Sequence, residues 1–169
     1  MLEIAKRLGK CQFVFFDFEE NLTAILKERL YLAFRRDQLN PEHFIKFIPF
    51  QKRDTFYGLM QKADLYLDTI GFSGFNTAMQ AIICDLPVIT VEGHWMRGRL
   101  ASAILNRLGA TELVCHSNED YINKTVELIQ TPKLLQAYKT SIATRKINLF
   151  NDLTPIRALE DFLTLHIKK

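Results

Sequence analysis

The sequence predicts an α/β fold of the doubly wound type, in which a parallel sheet lies between helices. Short apolar runs alternate with longer segments of helical periodicity, and the connections between them are short. Residues 11–16 are nearly all apolar, as in a strand that is buried on both faces of a sheet. Strands that alternate with helices in this way form a parallel sheet covered on both sides.

Five strands and seven helices follow from these patterns. The predicted strands are residues 11–16, 43–50, 65–68, 88–91 and 112–115. The predicted helices are residues 19–36, 53–62, 76–84, 96–108, 120–130, 132–145 and 155–167. Asp54 is a candidate cap for the second helix, and Pro132 and Pro155 stand where first-turn prolines are favoured. The last two helices have no strand between them, so we expect them to cross the sheet or to leave it.

Length and composition predict a single domain over residues 1–169. Hydrophobic residues make up 48% and charged residues 24%, as expected for a soluble globular domain with a proper core. No apolar run reaches the roughly 18 residues that a membrane span needs, and the first ten residues are too polar for a secretory signal. We therefore expect a cytoplasmic protein without a membrane partner.

Charge and cysteine content exclude further classes. The net charge of +3 is spread along the chain, which argues weakly for an anionic ligand and weakly against nucleic acid as the main partner. Cys11, Cys84 and Cys115 are odd in number, form no CxxC pair and lie in apolar stretches. They are expected to be buried, reduced thiols rather than metal ligands or redox groups. No P-loop, dinucleotide fingerprint, zinc-protease motif or nucleophile elbow is present.

Ligands of open α/β sheets lie beyond the carboxyl ends of the strands, which directs attention to three loops. The middle one, Gly71-Phe72-Ser73-Gly74-Phe75-Asn76-Thr77, gives the strongest signal. Its glycines allow a sharp turn and a close backbone approach to a ligand. Polar side chains, free amides and the helix dipole favour an anion such as a diphosphate at the helix start. The alternative is an ordinary turn in which Ser73 or Asn76 caps the helix.

Further candidates lie beside this loop. Gln80 follows Thr77 by three residues on the same helix face and is a candidate for a ribose hydroxyl, unless it faces solvent. In the loop of residues 49–53, backbone groups are placed to read a base, on which Phe56 would stack if it is not a core residue. Arg97 and Arg99 precede a helix, where their charge opposes the dipole; they are either phosphate ligands or surface residues.

At these residues the chain resembles the C-terminal lobe of the SPINDLY-like O-linked N-acetylglucosamine transferases, which have a GT-B fold. The stretches that carry the resemblance are Phe47-Ile48-Pro49-Phe50, Ala63-Asp64-Leu65-Tyr66-Leu67-Asp68-Thr69, Ser73-Gly74-Phe75-Asn76-Thr77, Leu86-Pro87-Val88-Ile89-Thr90, Met96-Arg97-Gly98-Arg99 and Arg157-Ala158-Leu159-Glu160-Asp161-Phe162-Leu163. They occur in the expected order over nearly the whole chain.

The resemblance implies a role for each candidate residue. It places the family's diphosphate-binding helix start at Phe75, Asn76 and Thr77, although many members have His-Thr-Thr or Gly-Asn-Thr there. It also implies that the Gln51 backbone reads uracil, that Phe56 stacks on it and that Arg53 contacts the nucleoside. At the ribose position Gln80 replaces the usual Asp or Glu and loses a charge-assisted contact. The nucleotide-binding set is Gln51, Arg53, Phe56, Ser73, Gly74, Phe75, Asn76, Thr77, Gln80, Arg97 and Arg99.

The implied activity is transfer of N-acetylglucosamine from UDP-N-acetylglucosamine to a protein Ser or Thr. No metal or cofactor is expected, because helix amides, donors at residues 73–77 and Arg97 or Arg99 would stabilise the departing diphosphate. The catalytic base is expected on an N-terminal lobe that normally follows TPR repeats, so this chain alone would be inactive. A non-catalytic scaffold domain with an eroded nucleotide site is the alternative, favoured by Phe75 and Gln80.

Overall fold

The computed structural model describes residues 1–17, 20–150 and 152–167, and each of the three strand pairings in these ranges is parallel. The strands are β1 (Phe13–Phe16), β2 (Ile45–Ile48), β3 (Tyr66–Leu67), β4 (Val88–Val91) and β5 (Val114–Cys115). Within the described chain, hydrogen bonds join β1 to β2, and separately place β4 between β3 and β5. The predicted parallel α/β architecture is confirmed, with its ladders in two groups instead of one continuous sheet.

Nine α-helices surround these strands in the described ranges. They are α1 (Leu2–Leu8), α2 (Glu20–Arg36), α3 (Pro41–Phe44), α4 (Arg53–Lys62), α5 (Asn76–Ile83), α6 (Leu100–Leu108), α7 (Asn118–Gln130), α8 (Pro132–Arg145) and α9 (Thr154–His166). Short 3-10 turns occupy Met96–Gly98, Thr111–Leu113 and Lys146–Leu149. Predicted and observed bounds agree fully for α4, β4 and α8, while Glu19, the predicted first residue of α2, lies outside the described residues.

Two predicted bounds and one predicted helix cap are wrong for identifiable reasons. The strand predicted from residue 43 begins only at Ile45, because the Asn40 side chain accepts a hydrogen bond from the Glu42 amide (3.1 Å) and starts the turn of α3. The helix predicted over 96–108 divides at Gly98, whose carbonyl accepts from the Gly93 amide (2.8 Å). Asp54 does not cap α4, which has Lys52 at its N-cap and no side-chain cap.

Helix α1 was not predicted from the sequence because it is short. It buries Ile4 and Ala5 and packs against α7. Arg7 adds ion pairs with Glu3, one turn earlier, and with Glu119 at the start of α7 (2.9 Å). Two buried side chains in seven residues give too weak a periodic signal for a helix to be predicted from sequence.

The core is centred on β4. Val88, Ile89 and Thr90 are all buried, and successive side chains of a strand point to opposite faces, so both faces of β4 are covered. Helices α5, α6 and α7 pack against this strand. By contrast, Val14 of β1 is 46% exposed and lies opposite the exposed Lys46, so the prediction that residues 11–16 are buried on both faces is wrong at Val14.

The last two helices behave differently from each other. Helix α8 packs against α7 and α5 and buries Leu135 and Ile142. Helix α9 buries no residue, and an ion pair between Arg107 and Asp152 holds the segment that precedes it. Helix α8 therefore packs on the domain, whereas α9 leaves it. None of the described helices is both long enough and apolar enough to cross a membrane.

All three cysteines are free thiols. Cys84 and Cys115 are buried as predicted, whereas Cys11 is only half-buried. Burial raises the pKa of each thiol, and for Cys115 it reaches about 11. Because the thiolate is the reactive form, these residues are poor nucleophiles near neutral pH.

Replacing Leu105 by Ala tests whether α6 is anchored in this core. Leu105 is fully buried, so Leu105→Ala should lower the free energy of unfolding by about 2–5 kcal/mol through lost burial and the cavity left behind. Leu165→Ala is the matched control, because Leu165 is 79% exposed and its truncation should change stability by less than about 0.5 kcal/mol. Urea unfolding followed by circular dichroism measures both; equal effects would contradict the described packing of α6.

Candidate functional site

A buried carboxylate organises the carboxyl end of the central strands. Asp68, directly after β3, is 2% exposed. Its Oδ2 accepts hydrogen bonds from the hydroxyls of Ser73 and Thr90 (both 2.7 Å), and its Oδ1 accepts from the Gly74 amide (2.8 Å). A buried carboxylate needs such donors, because leaving water without them is costly. Asp68 therefore fixes the middle loop against β3 and β4.

The same network extends to the third loop and to two more helices. The Ser73 hydroxyl also accepts from the Ala101 amide at the start of α6 (2.8 Å), and the Ser73 amide donates to the Arg97 carbonyl (2.7 Å). The Tyr121 hydroxyl of α7 donates to the Asp68 carbonyl (3.0 Å). Burial raises the pKa of Tyr121, so its phenol keeps the proton that it donates. The middle and third loops are thus held together as one unit.

Glycines make this close fit possible. A Cβ atom on Gly74 would lie 2.7 Å from Thr77 Oγ1 and 2.9 Å from the Tyr66 hydroxyl, which is too close for any side chain. In the third loop, a Cβ on Gly93 would lie 3.0 Å from the Gly98 Cα, so this loop closes backbone against backbone. The close approach at Gly74 is to the protein's own side chains, and the expected approach of this backbone to a ligand stays a prediction.

Helix α5 begins without a cap. Its N-cap residue, Phe75, makes no side-chain capping bond, and its first turn contains no acidic residue. Within the described ranges, the amides of Asn76, Thr77 and Ala78 donate to no protein acceptor. The capped-turn alternative for this loop is wrong, because Ser73 serves α6 instead of α5. The start of α5 is an exposed group of amide donors at the positive end of a helix dipole.

Some of the side chains around the start of α5 already form hydrogen bonds within the protein. Asn76 and Thr77 are exposed, and Thr77 Oγ1 lies 2.8 Å from the Tyr66 hydroxyl. Phe75 is 54% exposed. Gln80, one turn further along α5, is half-buried, and its side chain bonds to no other described residue. Its role at a ribose stays a prediction.

The two arginines of the third loop differ. Arg99 donates through Nη2 (2.9 Å) and Nε (3.2 Å) to one Glu92 oxygen, so its charge is already paired. Arg97 is exposed, and its guanidinium has no ion-pair partner in the part of the chain that the structure describes. An exposed pair such as Arg99–Glu92 contributes only about 0–1 kcal/mol, so a phosphate can compete for it.

The first loop belongs to the other group of strands. Gln51 Nε2 donates to the Pro49 carbonyl, and the Arg53 guanidinium lies 5.5 Å from the centre of the Tyr57 ring. Phe56 is half-buried, with its ring centre 5.1 Å from that of Phe16. Among the described residues, no hydrogen bond or ion pair links these three candidates to the other loops. Phe56 therefore packs within the protein, as expected from the alternative in which it is a core residue.

Sequence reasoning missed three side chains of the Asp68 network, namely Asp68 itself, Thr90 and Tyr121. It also missed Tyr66, whose hydroxyl lies 2.8 Å from Thr77 Oγ1. Each stands in a segment predicted as a strand or a helix, where its polar role depends on contacts outside that segment. An acidic residue that ends a buried strand was the available signal for Asp68, because it must find donors there.

Two open clefts, of about 490 and 440 Å³, lie away from these loops. The first lies where β3 and β4 begin, with Ala63 and Leu86 in its wall, and the second lies beside β5. The first cleft lies at the end of the strands opposite to the one where doubly wound sheets bind ligands. No residue of the three loops lines either cleft, so we assign neither to the candidate site. Among residues 1–17, 20–150 and 152–167, no group of three or more His, Cys, Asp or Glu side chains is placed to hold a metal ion.

Comparison with known proteins identifies the family. The model of glycosyl transferase family 41 matches residues 29–155. The chain belongs to glycosyl transferase family 41. The matched residues include every candidate from Gln51 to Arg99, together with Asp68. The resemblance to SPINDLY-like transferases is thereby confirmed.

Two individual relatives illustrate the match. A protein of Oryza sativa subsp. japonica, named a probable UDP-N-acetylglucosamine–peptide N-acetylglucosaminyltransferase SPINDLY, is 26% identical over 86 residues, which are 51% of this chain and 9% of that protein. The solved structure of a Thermobaculum terrenum O-GlcNAc transferase mutant matches 95% of this chain with a TM-score of 0.81 and 24% identity. This family 41 chain spans 31% of that structure, and the match establishes the predicted Rossmann-like lobe of a GT-B fold.

Replacing Asp68 by Asn tests the buried network. Asn keeps one accepting oxygen, but its amide nitrogen cannot accept, so either the Gly74 bond or the bonds of Ser73 and Thr90 are lost. Asp68→Asn should therefore lower the free energy of unfolding by about 2–4 kcal/mol. Asp64→Asn removes the same charge from an exposed position and should be close to neutral. Urea unfolding compares the two variants, and amide exchange at Gly74 and Ala101 reports the local loss. Equal stability of both variants would rule out the network as a structural anchor.

Proposed function

We propose that this family 41 chain is the nucleotide-binding C-terminal lobe of a glycosyltransferase. The enzyme would transfer N-acetylglucosamine from UDP-N-acetylglucosamine to a Ser or Thr hydroxyl of a protein. The observation that carries the proposal is the uncapped start of α5, at the carboxyl end of β3 and beside the ordered third loop. The family match and the names of the rice and Thermobaculum relatives support the donor and the acceptor class.

The chemistry at α5 follows from its open amides. In glycosyl transfer, negative charge grows on the diphosphate as the bond to the sugar breaks, and preorganised donors that meet this charge lower the barrier. The amides of Asn76, Thr77 and Ala78 are such donors, and Asn76 adds a side-chain amide. The guanidinium of Arg97, which pairs with no acidic side chain among the described residues, would supply positive charge from the adjoining loop.

The remaining candidates divide into contact and support. We assign the Ser73 hydroxyl, the Gly74 amide and the buried network to holding the loop, because these groups already bond to Asp68. Arg99 would reach a phosphate only on release from Glu92. The nucleoside would lie toward the first loop and the exposed side of α5, in contact with Gln51, Arg53, Phe56, Phe75 and Gln80.

The catalytic base and the contacts to the acceptor would come from an N-terminal lobe, and no resident cofactor or metal is part of the proposal. Proximity and a positioned base supply a large part of the rate of a transfer reaction. The chain by itself would therefore bind the donor without transferring the sugar. A scaffold domain with an eroded site is the second candidate; it is favoured by Phe75, by Gln80 and by the pairing of Arg99 with Glu92.

UDP should bind the isolated chain weakly. Without a second lobe to close over it, the ligand makes only part of its contacts, and we expect a dissociation constant on the order of 0.1–1 mM. Titration followed by amide NMR should shift the resonances of Asn76, Thr77 and Ala78. Uridine, which lacks the diphosphate, should leave these resonances nearly unchanged. No shift at several millimolar UDP would reject the nucleotide site and favour the scaffold candidate.

Substitution of Gln80 should tune this affinity. A carboxylate makes a stronger hydrogen bond to a hydroxyl than an amide does, so Gln80→Glu should tighten UDP binding by roughly 0.5–1.5 kcal/mol despite repulsion from the diphosphate. Gln80→Ala should weaken binding by a similar amount. Gln61→Glu, which adds the same charge on the exposed surface of α4, is the control and should not tighten binding. If all the variants bind UDP alike, the ribose does not lie at Gln80.

A further inference from the structure

The geometry points to Tyr66 as a positioning residue that aims the Thr77 hydroxyl at a phosphate oxygen of the bound nucleotide. This inference rests on the proposed function and adds a residue to that site. Tyr66 belongs to β3 and Thr77 to the first turn of α5, and their hydroxyl oxygens lie 2.8 Å apart. A side chain of the sheet thus holds a side chain of the candidate anion site.

The number of protons in the pair leaves one donor free. Two hydroxyl groups carry two protons, and their mutual hydrogen bond uses only one. Neither hydroxyl oxygen bonds to any other described residue. One O–H group therefore remains to donate to a ligand.

Burial sets the direction of the mutual hydrogen bond. Tyr66 is half-buried, whereas Thr77 is exposed. If Thr77 donated to Tyr66, the phenol proton would be the one left without an acceptor, at the less accessible end of the pair. If Tyr66 donates to Thr77, both protons are satisfied once a ligand oxygen accepts from the Thr77 hydroxyl. Burial also raises the pKa of Tyr66, which keeps the phenol protonated at neutral pH.

The surroundings hold this arrangement in place. The two oxygens converge beside Gly74, where a Cβ would lie less than 3 Å from each, and the Gly74 amide is fixed to Asp68. The amides of Asn76 and Ala78 flank Thr77 and are also open. A hydroxyl donor among free amides at the positive end of a helix is suited to an anionic oxygen. Phe75 offers no side-chain donor here, so the Tyr66–Thr77 pair is the hydroxyl source at this helix start.

A double-mutant cycle on UDP binding tests the pair. Thr77→Val removes the direct donor and should weaken UDP binding about tenfold. Tyr66→Phe keeps the ring and should weaken binding about threefold to fivefold, because the Thr77 hydroxyl then loses its fixed direction and its polarising partner. In a Thr77→Val background, Tyr66→Phe should have no further effect, whereas in a Thr77→Ser background, which keeps a hydroxyl, the effect should persist.

Controls separate positioning from general damage to the fold. Tyr138→Phe, on α8 and remote from the site, should leave the affinity for UDP unchanged. Urea unfolding of each variant reports stability independently of binding. If Tyr66→Phe weakens binding equally in the Thr77→Val background, or has no effect in the wild type, the inference is overturned while the proposed function stands. If wild-type protein binds no UDP, the proposed function fails and this inference fails with it.

Discussion

The Asp68 carboxylate is the interaction on which the candidate site depends. It joins the ends of β3 and β4 to the middle loop, and through Ser73 it reaches the start of α6. Removing a charge from water is tolerated here because every donor that faces it is a hydroxyl or amide of the protein. Because these donors bond to Asp68, they are not available to a ligand. The ligand-facing donors must therefore be other groups, and the next amides along the chain are those of α5.

This division explains why only part of the site could be predicted from sequence. The loop of residues 69–77 was found because glycines between a strand and a helix are a local signal. The roles of Ser73 and Gly74 were not, because whether a hydroxyl faces a ligand or a buried carboxylate depends on Thr90 and Ala101, which are distant in sequence. The role of Tyr66 could not be predicted for the same reason.

The fold shows the same limit of local information. Helices α4 and α8 and strand β4 were predicted with their observed bounds, since the pattern of each segment is local and Pro87 and Pro132 mark the starts of β4 and α8. Errors arose where a contact between neighbouring turns overrides propensity, as at the Gly93–Gly98 closure that divides the predicted helix. The exposure of Val14 could not be predicted either, because an apolar run does not reveal which face of its sheet is covered.

The two groups of strands carry different parts of the candidate site. Asn76, Thr77 and Arg97 follow β3 and β4 in the chain, whereas Arg53 and Phe56 follow β2. The buried residues of both groups belong to one hydrophobic core, so both parts of the site are carried by one packed body. A nucleotide bound to the isolated chain would be held by these loops alone, and their contacts must offset the freedom that is lost on association. Weak binding by this family 41 chain is thus expected, independently of the replacements at Phe75 and Gln80.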